Sequence, residues 1–369
     1  MILFVKVNEM TIKSRNNYKN VIAKKMAAFM VPLLGALMGL LVGAILLIMQ
    51  GVNPIVAYYA LLQGSLIGWP SISETLLKAS PLVLAGLAVC YSYRTGFFNI
   101  GAEGQLYMGA VGATIIGTNF AFLPSMIHIP LAIIVGALFG GILAVIPGLL
   151  RAYRGVNEIV TTILFNYVAA YFLSMLVQGP LKEPGSFYPR SLPIVESALL
   201  PKFPASPLHT GIFFVILLAG ILYWLFNKTT YGFAMEVAGG NHNALHYAGV
   251  NLKKMIVQVM LVSGMIAGTA GVIEILGVHK RLIENFSVGL GYEAIAVALL
   301  ANLNPLGALL SGTFFGALKT GASSMQIATG VPVSFISMIQ ALIILFVIAF
   351  TVFPRILIRI NKRRMRKNA

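Results

Sequence analysis

The sequence contains no aspartate, and all ten of its acidic residues are glutamate. Charged residues of both signs make up only 10% of the 369 positions, whereas soluble domains carry about 25%. So little charge cannot keep the surface of a chain this long in contact with water. Together with a hydrophobic fraction of 58% and a mean hydropathy of +0.89, it excludes a soluble globular domain.

The sequence also lacks the motifs of the common catalytic and nucleotide-binding sites. It has no Gly-x-x-x-x-Gly-Lys-Ser/Thr phosphate loop, no His-Glu-x-x-His and no Gly-x-Ser-x-Gly, and without aspartate it has no Asp-based dyad or Mg²⁺ cage. We therefore expect a chain that is not an enzyme, does not hydrolyse ATP itself, and binds no cofactor. His242 and His246 have the spacing of metal ligands but no third ligand in their loop, so we expect no metal.

Cysteine is nearly absent as well. The single Cys90 excludes an intrachain disulfide, and its apolar neighbours predict a buried, unreactive thiol.

The chain is rich in long uncharged apolar stretches. Phe29–Met49, Ile129–Leu150 and Val333–Phe353 contain no charged residue, and each exceeds the ~20 residues with which a helix crosses a bilayer. The pattern predicts an all-α, polytopic membrane protein with about ten transmembrane helices. We place them at residues 27–50, 74–93, 97–118, 128–150, 157–178, 210–227, 255–278, 290–302, 305–321 and 333–353.

Basic residues indicate the orientation of these helices. If the N-terminus is cytoplasmic, most of the 26 Lys and Arg residues lie on the cytoplasmic side, as the positive-inside rule requires. We predict a basic cytoplasmic segment at 1–26 that is not a cleaved signal peptide, a transmembrane domain at 27–353 and a basic cytoplasmic tail at 354–369. The net charge of +16 then faces anionic lipid, so nucleic acid is not needed as a partner.

Two loops are long enough to have a role of their own. The outer loop, 179–209, is rich in proline and is either an ordered cap that docks an external partner or a plain connector. The cytoplasmic loop, 228–254, contains Asn241 as a helix N-cap, and Gly249 can end the helix that runs to Tyr247. Such a helix on the inner face would let a cytoplasmic motor move the membrane helices.

A small set of polar residues lies within or near the apolar helices. Ionisable groups at bilayer depth are costly unless they face a cavity or a partner, so each is a functional candidate by default. Two of them, Glu158 and Glu293, begin helices and could instead complement the helix dipole. Gly96, Gly101 and Gly104 favour a broken helix beside a cavity at the first three of the set. The set is Asn99, Glu103, Gln105, Glu158, Asn166, Glu274, Glu293 and Asn302.

Several blocks of sequence resemble one family. The chain is similar to the permease subunits of bacterial ABC importers in the branched-chain amino acid and simple sugar group, and most similar to those of nucleoside importers. The blocks are RTGFFNIGAEGQ at 94–105, GVNEIVTTILFNY at 155–167, GPLK at 179–182, VAGGNHNALHYAGV at 237–250, EILGVHKR at 274–281 and GYEAIAVALL at 291–300.

The resemblance implies partners and roles. It implies two ATP-binding subunits that carry ATP and Mg²⁺, a second permease, identical or related, and an extracellular substrate-binding lipoprotein, all at the bacterial cytoplasmic membrane. The coupling segment would include Glu236, Gly240, Asn241, Ala244, Tyr247 and Gly249. The translocation path for nucleosides would pass near Asn99, Glu103, Gln105, Asn166 and Glu293.

Three alternatives stay open at this point. The cargo could be ribose, another simple sugar or a branched-chain amino acid. The chain could instead be a secondary transporter that uses Glu103, Glu158 or Glu293 as its ion site. An intramembrane enzyme is disfavoured, because no nucleophile–base pair or metal set lies at a matching depth.

Overall fold

The computed structural model describes residues 34–240, 249–287 and 289–367, and beyond residue 350 it describes the backbone alone. Within these residues the chain forms twelve α-helices, and its β structure is limited to isolated bridges. The predicted all-α class is therefore confirmed. The helices are α1 Leu34–Met49, α2 Pro54–Leu66, α3 Trp69–Tyr93, α4 Ala102–Asn119, α5 Ser125–Arg154, α6 Glu158–Gln178, α7 Gly211–Lys228, α8 Thr230–Gly240, α9 Leu252–Ile273, α10 Leu290–Leu300, α11 Pro305–Thr329 and α12 Val333–Lys367.

Asparagine starts four of these helices. In each case the side-chain oxygen of the N-cap accepts a hydrogen bond from a backbone N–H of the first turn, which would otherwise lack a partner. Where proline follows the asparagine, its fixed φ also suits the first helical position. The four caps are Asn53 for α2, Asn157 for α6, Asn251 for α9 and Asn304 for α11.

Each of the ten predicted helices overlaps an observed helix, but several boundaries were wrong. The second begins at Trp69, the third begins only at Ala102, and the last continues as far as Lys367. Helices α2 and α8 were missed. The thirteen residues of α2 are few for a membrane span and include Gln63 and Gly64, and the eleven residues of α8 lie in the segment assigned to the cytoplasmic loop. The predicted start of the first helix, 27–33, and the predicted short helix 241–247 lie outside the described residues.

Six described helical segments are long and apolar enough to cross a membrane, and α1 and α10 are shorter apolar helices. The chain is therefore a membrane protein. The six are Trp69–Tyr93, Ser125–Arg154, Glu158–Gln178, Gly211–Lys228, Leu252–His279 and Val333–Phe350.

The described residues divide into two compact units. The smaller comprises residues 34–51 and 337–367, in which α1 and α12 run antiparallel. Gly35 faces the backbone of Val347 and Gly39 that of Ile343, and neither position has room for a Cβ atom.

The larger unit comprises Val52–Ile336 and is built around α3 and α9, the two most deeply buried spans. Helix α9 packs against α3, α4 and α5. Gly109 of α4, Gly136 of α5 and Gly268 of α9 allow direct backbone contact there, since a Cβ on any of the three would overlap a neighbouring backbone. This close packing brings the start of α4 against the side of α9.

The segment 179–209 contains one short 3₁₀ turn, Glu196–Ala198, and it lies along the end of α9. The N–H groups of Ser191, Ile194 and Leu200 donate to the carbonyls of Leu282, Lys280 and Leu276 at 2.9, 2.9 and 3.1 Å. Sequence alone left open whether this loop was ordered. The structure shows that backbone hydrogen bonds hold it in place.

Candidate functional site

The chain breaks between α3 and α4, at the polar run that stood out in the sequence. Gly96 has a left-handed φ of 77°, and residues 97–100 have no regular structure before α4 starts. The predicted helix 97–118 was therefore wrong in its first turn, because residues 97–100 are irregular and the helix begins only at Ala102. Irregular backbone at membrane depth needs protein partners for its polar groups.

Asn99 and Gln105 supply some of these partners. Their amides form a reciprocal pair, with Asn99 Nδ2 donating to Gln105 Oε1 at 2.9 Å and Gln105 Nε2 donating to Asn99 Oδ1 at 2.8 Å. Asn99 Oδ1 also accepts from the N–H of Gly101 at 2.9 Å, and Nδ2 donates to Ser263 Oγ of α9 at 2.8 Å. Ser263 in turn donates to the carbonyl of Ala88 in α3. The two amides thus join α3, α4 and α9.

Glu103 binds the first turn of another helix. Its carboxylate accepts from the N–H groups of Gly289 and Gly291 at the start of α10, and from the hydroxyl of Tyr107 at 2.9 Å. A carboxylate at a helix N-terminus is stabilised by the unpaired N–H groups and by the helix dipole. Gly291 has no room for a Cβ, which would overlap the backbone of Glu103. The side chain therefore acts as a cap for α10, and all its donors come from within the chain.

Asn166 of α6 completes the junction. Its Oδ1 accepts from the N–H of Gly104 at 2.9 Å, and its Nδ2 donates to the carbonyl of Ile100 at 3.0 Å and to the hydroxyl of Tyr292 at 3.1 Å. This single amide satisfies backbone groups on both sides of the start of α4. It ties α6 and α10 to the break.

Two further glutamates of the polar set form ion pairs with basic side chains. Glu293 of α10 lies 2.8 Å from Lys319 Nζ of α11, and Glu158, the first residue of α6, lies 3.2 Å from Arg151 Nε. The location of Glu158 also agrees with the helix-dipole interpretation. Asn302, by contrast, occupies the turn between α10 and α11 with a φ of 50°.

The structure thus brings four of the five predicted path residues, Asn99, Glu103, Gln105 and Asn166, into one hydrogen-bonded junction, and Glu293 follows one of its members, Tyr292, in sequence. Sequence reasoning missed Ser263, Tyr107 and Tyr292, which carry no charge and look like ordinary helix residues. Glu293 and Lys319 carry opposite charges and lie in two neighbouring apolar helices of the sequence. This was the feature from which their ion pair could have been predicted.

The predicted coupling segment is described in part. Glu236 and Gly240 lie on α8, and Gly249 adopts a φ of 73° just before the N-cap of α9. Glu236 forms an ion pair of 2.8 Å with Arg94, which directly follows α3. Asn241, Ala244 and Tyr247 lie outside the described residues.

The apolar helices and the buried polar junction between them define a polytopic membrane protein with an irregular polar segment between two buried helices. Residues 71–348 match the family described as branched-chain amino acid transport system / permease component. The chain belongs to this family of transport permeases, which confirms the resemblance seen in the motifs.

Three curated relatives align with most of the chain. The guanosine ABC transporter permease protein NupP of Bacillus subtilis is 37% identical, over 88% of this chain and 94% of its own length. The glucose ABC transporter permease protein TsgB13 of Haloferax volcanii is 34% identical over 89% of each chain. The nucleoside ABC transporter permease protein NupB of Lactococcus lactis is 32% identical, over 86% of this chain and 90% of its own length. No solved structure matches the chain.

Proposed function

We propose that the chain is the membrane permease subunit of an ABC importer that carries nucleosides into the cell, using ATP hydrolysed by separate subunits. The observation that carries the proposal is the family match over residues 71–348, together with two relatives named for guanosine and for nucleosides that align with at least 86% of the chain. The sequence has no phosphate loop of its own, which supports placing ATP and Mg²⁺ on partner subunits.

We propose a topology of about ten membrane crossings with both termini in the cytoplasm of a bacterium. Support comes from the six long apolar segments and from the many Lys and Arg residues at the two chain ends. In this topology the loop 179–209 faces the external binding lipoprotein and the loop 228–254 faces the ATP-binding subunits. A second permease, identical or related, completes the membrane part.

We propose that the junction of Asn99, Glu103, Gln105 and Asn166 borders the translocation path, with Glu293 beside it. The support is positional, because these residues join α3, α4, α6, α9 and α10 at the one interrupted stretch between α3 and α4. If these helices move relative to one another during transport, the hydrogen bonds of the junction must break or rearrange.

A sugar is the second candidate cargo, because the relative named for glucose is as extensively aligned as those named for nucleosides. Guanosine and glucose share one chemical feature, a sugar ring that carries neighbouring hydroxyl groups. An ion-coupled mechanism is less well supported. Glu103 is occupied by three internal donors, and Glu158 and Glu293 are each paired with a basic residue.

The test is uptake of radiolabelled guanosine by cells with and without this gene, with guanosine, glucose and leucine as unlabelled competitors. Uptake is measured after ATP depletion and, separately, after collapse of the ion gradients with ATP preserved. We expect gene-dependent uptake that follows ATP and is reduced only by unlabelled nucleosides. Uptake that follows the ion gradient would refute the ABC mechanism, and competition by glucose alone would assign the cargo to the sugars.

A further inference from the structure

Glu274 is a buried carboxylate with few partners. The residue is only 8% exposed, and among the described residues Nε2 of His279 lies 3.5 Å from its carboxylate. Among the described residues no group donates a hydrogen bond to it within normal distance. Burying a carboxylate without donors is costly, and at membrane depth such groups usually serve function. By contrast, the carboxylate of Glu103 has three donors.

The backbone at Glu274 is also unusual. Residues Glu274–His279 form a π-helical segment that continues α9, and the N–H of Lys280 bonds to the carbonyl of Ile275 at 2.8 Å. Such segments are rare, and they frequently occur at functional sites because the extra residue redirects the side chains that follow. The loop 179–209 supports this segment from one side, through the hydrogen bond from Leu200 N–H to the carbonyl of Leu276.

Aromatic rings connect Glu274 to the junction described above. The ring of His279 contacts Phe286 edge to face at 5.6 Å, and Phe286 contacts Tyr107 in the same way at 5.5 Å. The Tyr107 hydroxyl then donates to Glu103. Directly after Phe286, Ser287 has a buried hydroxyl without a partner among the described residues. A chain of contacts through the rings of His279, Phe286 and Tyr107 therefore connects Glu274 in the π-helical segment with Glu103 at the start of α4.

Two basic side chains in this region are partly exposed. The side chains of His279 and Lys319 are 26% and 30% exposed. Lys319 is already paired with Glu293 at 2.8 Å. Of the two carboxylates Glu274 and Glu293, Glu274 is therefore the one whose oxygens can accept further hydrogen bonds.

We propose that Glu274 contacts the transported substrate by accepting hydrogen bonds from neighbouring hydroxyls of its sugar ring, while Phe286 offers an apolar surface to that ring. The inference rests on the proposed function. A carboxylate has two oxygens and can accept from two adjacent hydroxyls at once, and a hydroxyl is the donor that Glu274 lacks. Ligand sites commonly combine an apolar or aromatic lining with a few such polar groups.

The test compares uptake of guanosine with uptake of 2′,3′-dideoxyguanosine by cells that carry the complete transporter. The permease is either wild type, Glu274→Gln, or Glu74→Gln as a control at a partly exposed glutamate of α3. The quantity measured is the rate of guanosine uptake divided by the rate of dideoxyguanosine uptake. The external binding protein is the same in all strains, so a change in this ratio is due to the permease. Removing a charged hydrogen-bond acceptor predicts about a tenfold fall in the ratio for Glu274→Gln. The ratio should stay constant for Glu74→Gln.

An unchanged ratio in Glu274→Gln, with the protein present in the membrane, would overturn the inference. If the Glu274→Gln protein does not accumulate, the same ratio is measured for Glu274→Asp. Aspartate keeps the carboxylate but is shorter by one methylene group, so its oxygens lie farther from the substrate. A lower ratio in Glu274→Asp supports the contact, and the wild-type ratio refutes it. If wild-type cells take up glucose and not guanosine, the proposed cargo is wrong, and the ratio of glucose to 3-deoxyglucose then tests Glu274 in the same way.

Discussion

The guanidinium of Arg94 and the carboxylate of Glu236 lie 2.8 Å apart and join the end of α3 to α8. Beside them, Gly239 has no room for a Cβ, which would overlap the carbonyl of Arg94, and Gly96 faces the Cα of Gly239. Arg94 also lies over the ring of Phe226, 5.2 Å from its centroid. Helix α8 is therefore packed directly on the segment that leads, three residues later, to Asn99.

This contact predicts the effect of reversing its charges. Arg94→Glu or Glu236→Arg alone places like charges side by side, so α8 should move away from α3. We expect each single variant to lower uptake per ATP hydrolysed several-fold, and the double variant to recover most of it. The measurement is uptake and ATP hydrolysis by the reconstituted transporter.

The control for this experiment is the pair Glu74–Lys78 on α3, whose side chains are similarly accessible and lie 3.2 Å apart. Exposed ion pairs contribute little to stability, so reversal there should leave uptake unchanged. Failure of the Arg94/Glu236 double variant to recover would show that the charges do not act as a pair.

Glu103 should be essential for the stability of α10. Glu103→Ala leaves the buried N–H groups of Gly289 and Gly291 without an acceptor, at a cost of about 1–3 kcal/mol for each group. Tyr107→Phe removes only one hydrogen bond and should cost about 1 kcal/mol. Thermal unfolding of the purified complex measures both. A wild-type midpoint for Glu103→Ala would contradict the role of its carboxylate as a helix cap.

The backbone contacts of α9 predict a large effect from one methyl group. A Cβ at Gly268 would meet the carbonyl oxygen of Gly136 at 2.7 Å, and the Cα atoms of Ala137 and Gly140 are close behind. Gly268→Ala should therefore lower the free energy of unfolding by about 1–3 kcal/mol. Gly220→Ala in α7, where nothing lies within 4 Å, is the matched control. Equal unfolding midpoints for the two variants would argue against this packing.

His209 predicts how stability depends on pH. Its side chain is buried, and Nδ1 accepts a hydrogen bond from the N–H of Gly211 at 3.2 Å, which requires the neutral ring. Burial, with a smaller contribution from the charge of Lys202, lowers its pKa from 6.5 to about 4. The unfolded chain therefore binds this proton more readily than the folded one. Stability from His209 is complete above pH 6.5 and should fall, by up to about 1.4 kcal/mol per pH unit, as the pH drops from 6.5 towards 4.

The measurement is the unfolding midpoint of wild type and His209→Gln at pH 7.5, 5.5 and 4.5. Glutamine does not titrate in this range, so the variant should show a shallower decline with acid. Parallel curves for the two proteins would rule out His209 as the source of the pH dependence.

Local signals in the sequence were enough to place ten of the helices approximately, but not to give their exact boundaries. Uncharged runs of sufficient length predicted the spans because lipid accepts only hydrogen-bonded, apolar segments. Glycines 96, 101 and 104 predicted the interruption before α4. The short helix α2 was missed because its length and composition are ordinary for a surface helix, and its assignment depends on packing against α11.

The sequence by itself determined that this chain is an all-helical membrane permease, because composition, hydrophobic length and motif order are properties of neighbouring residues. The tertiary structure alone decided what the polar residues do. It gave Glu103 the first turn of α10, paired Glu293 with Lys319 and left Glu274 short of donors. These outcomes depend on which helices meet, and that is set by close packing between residues far apart in the chain.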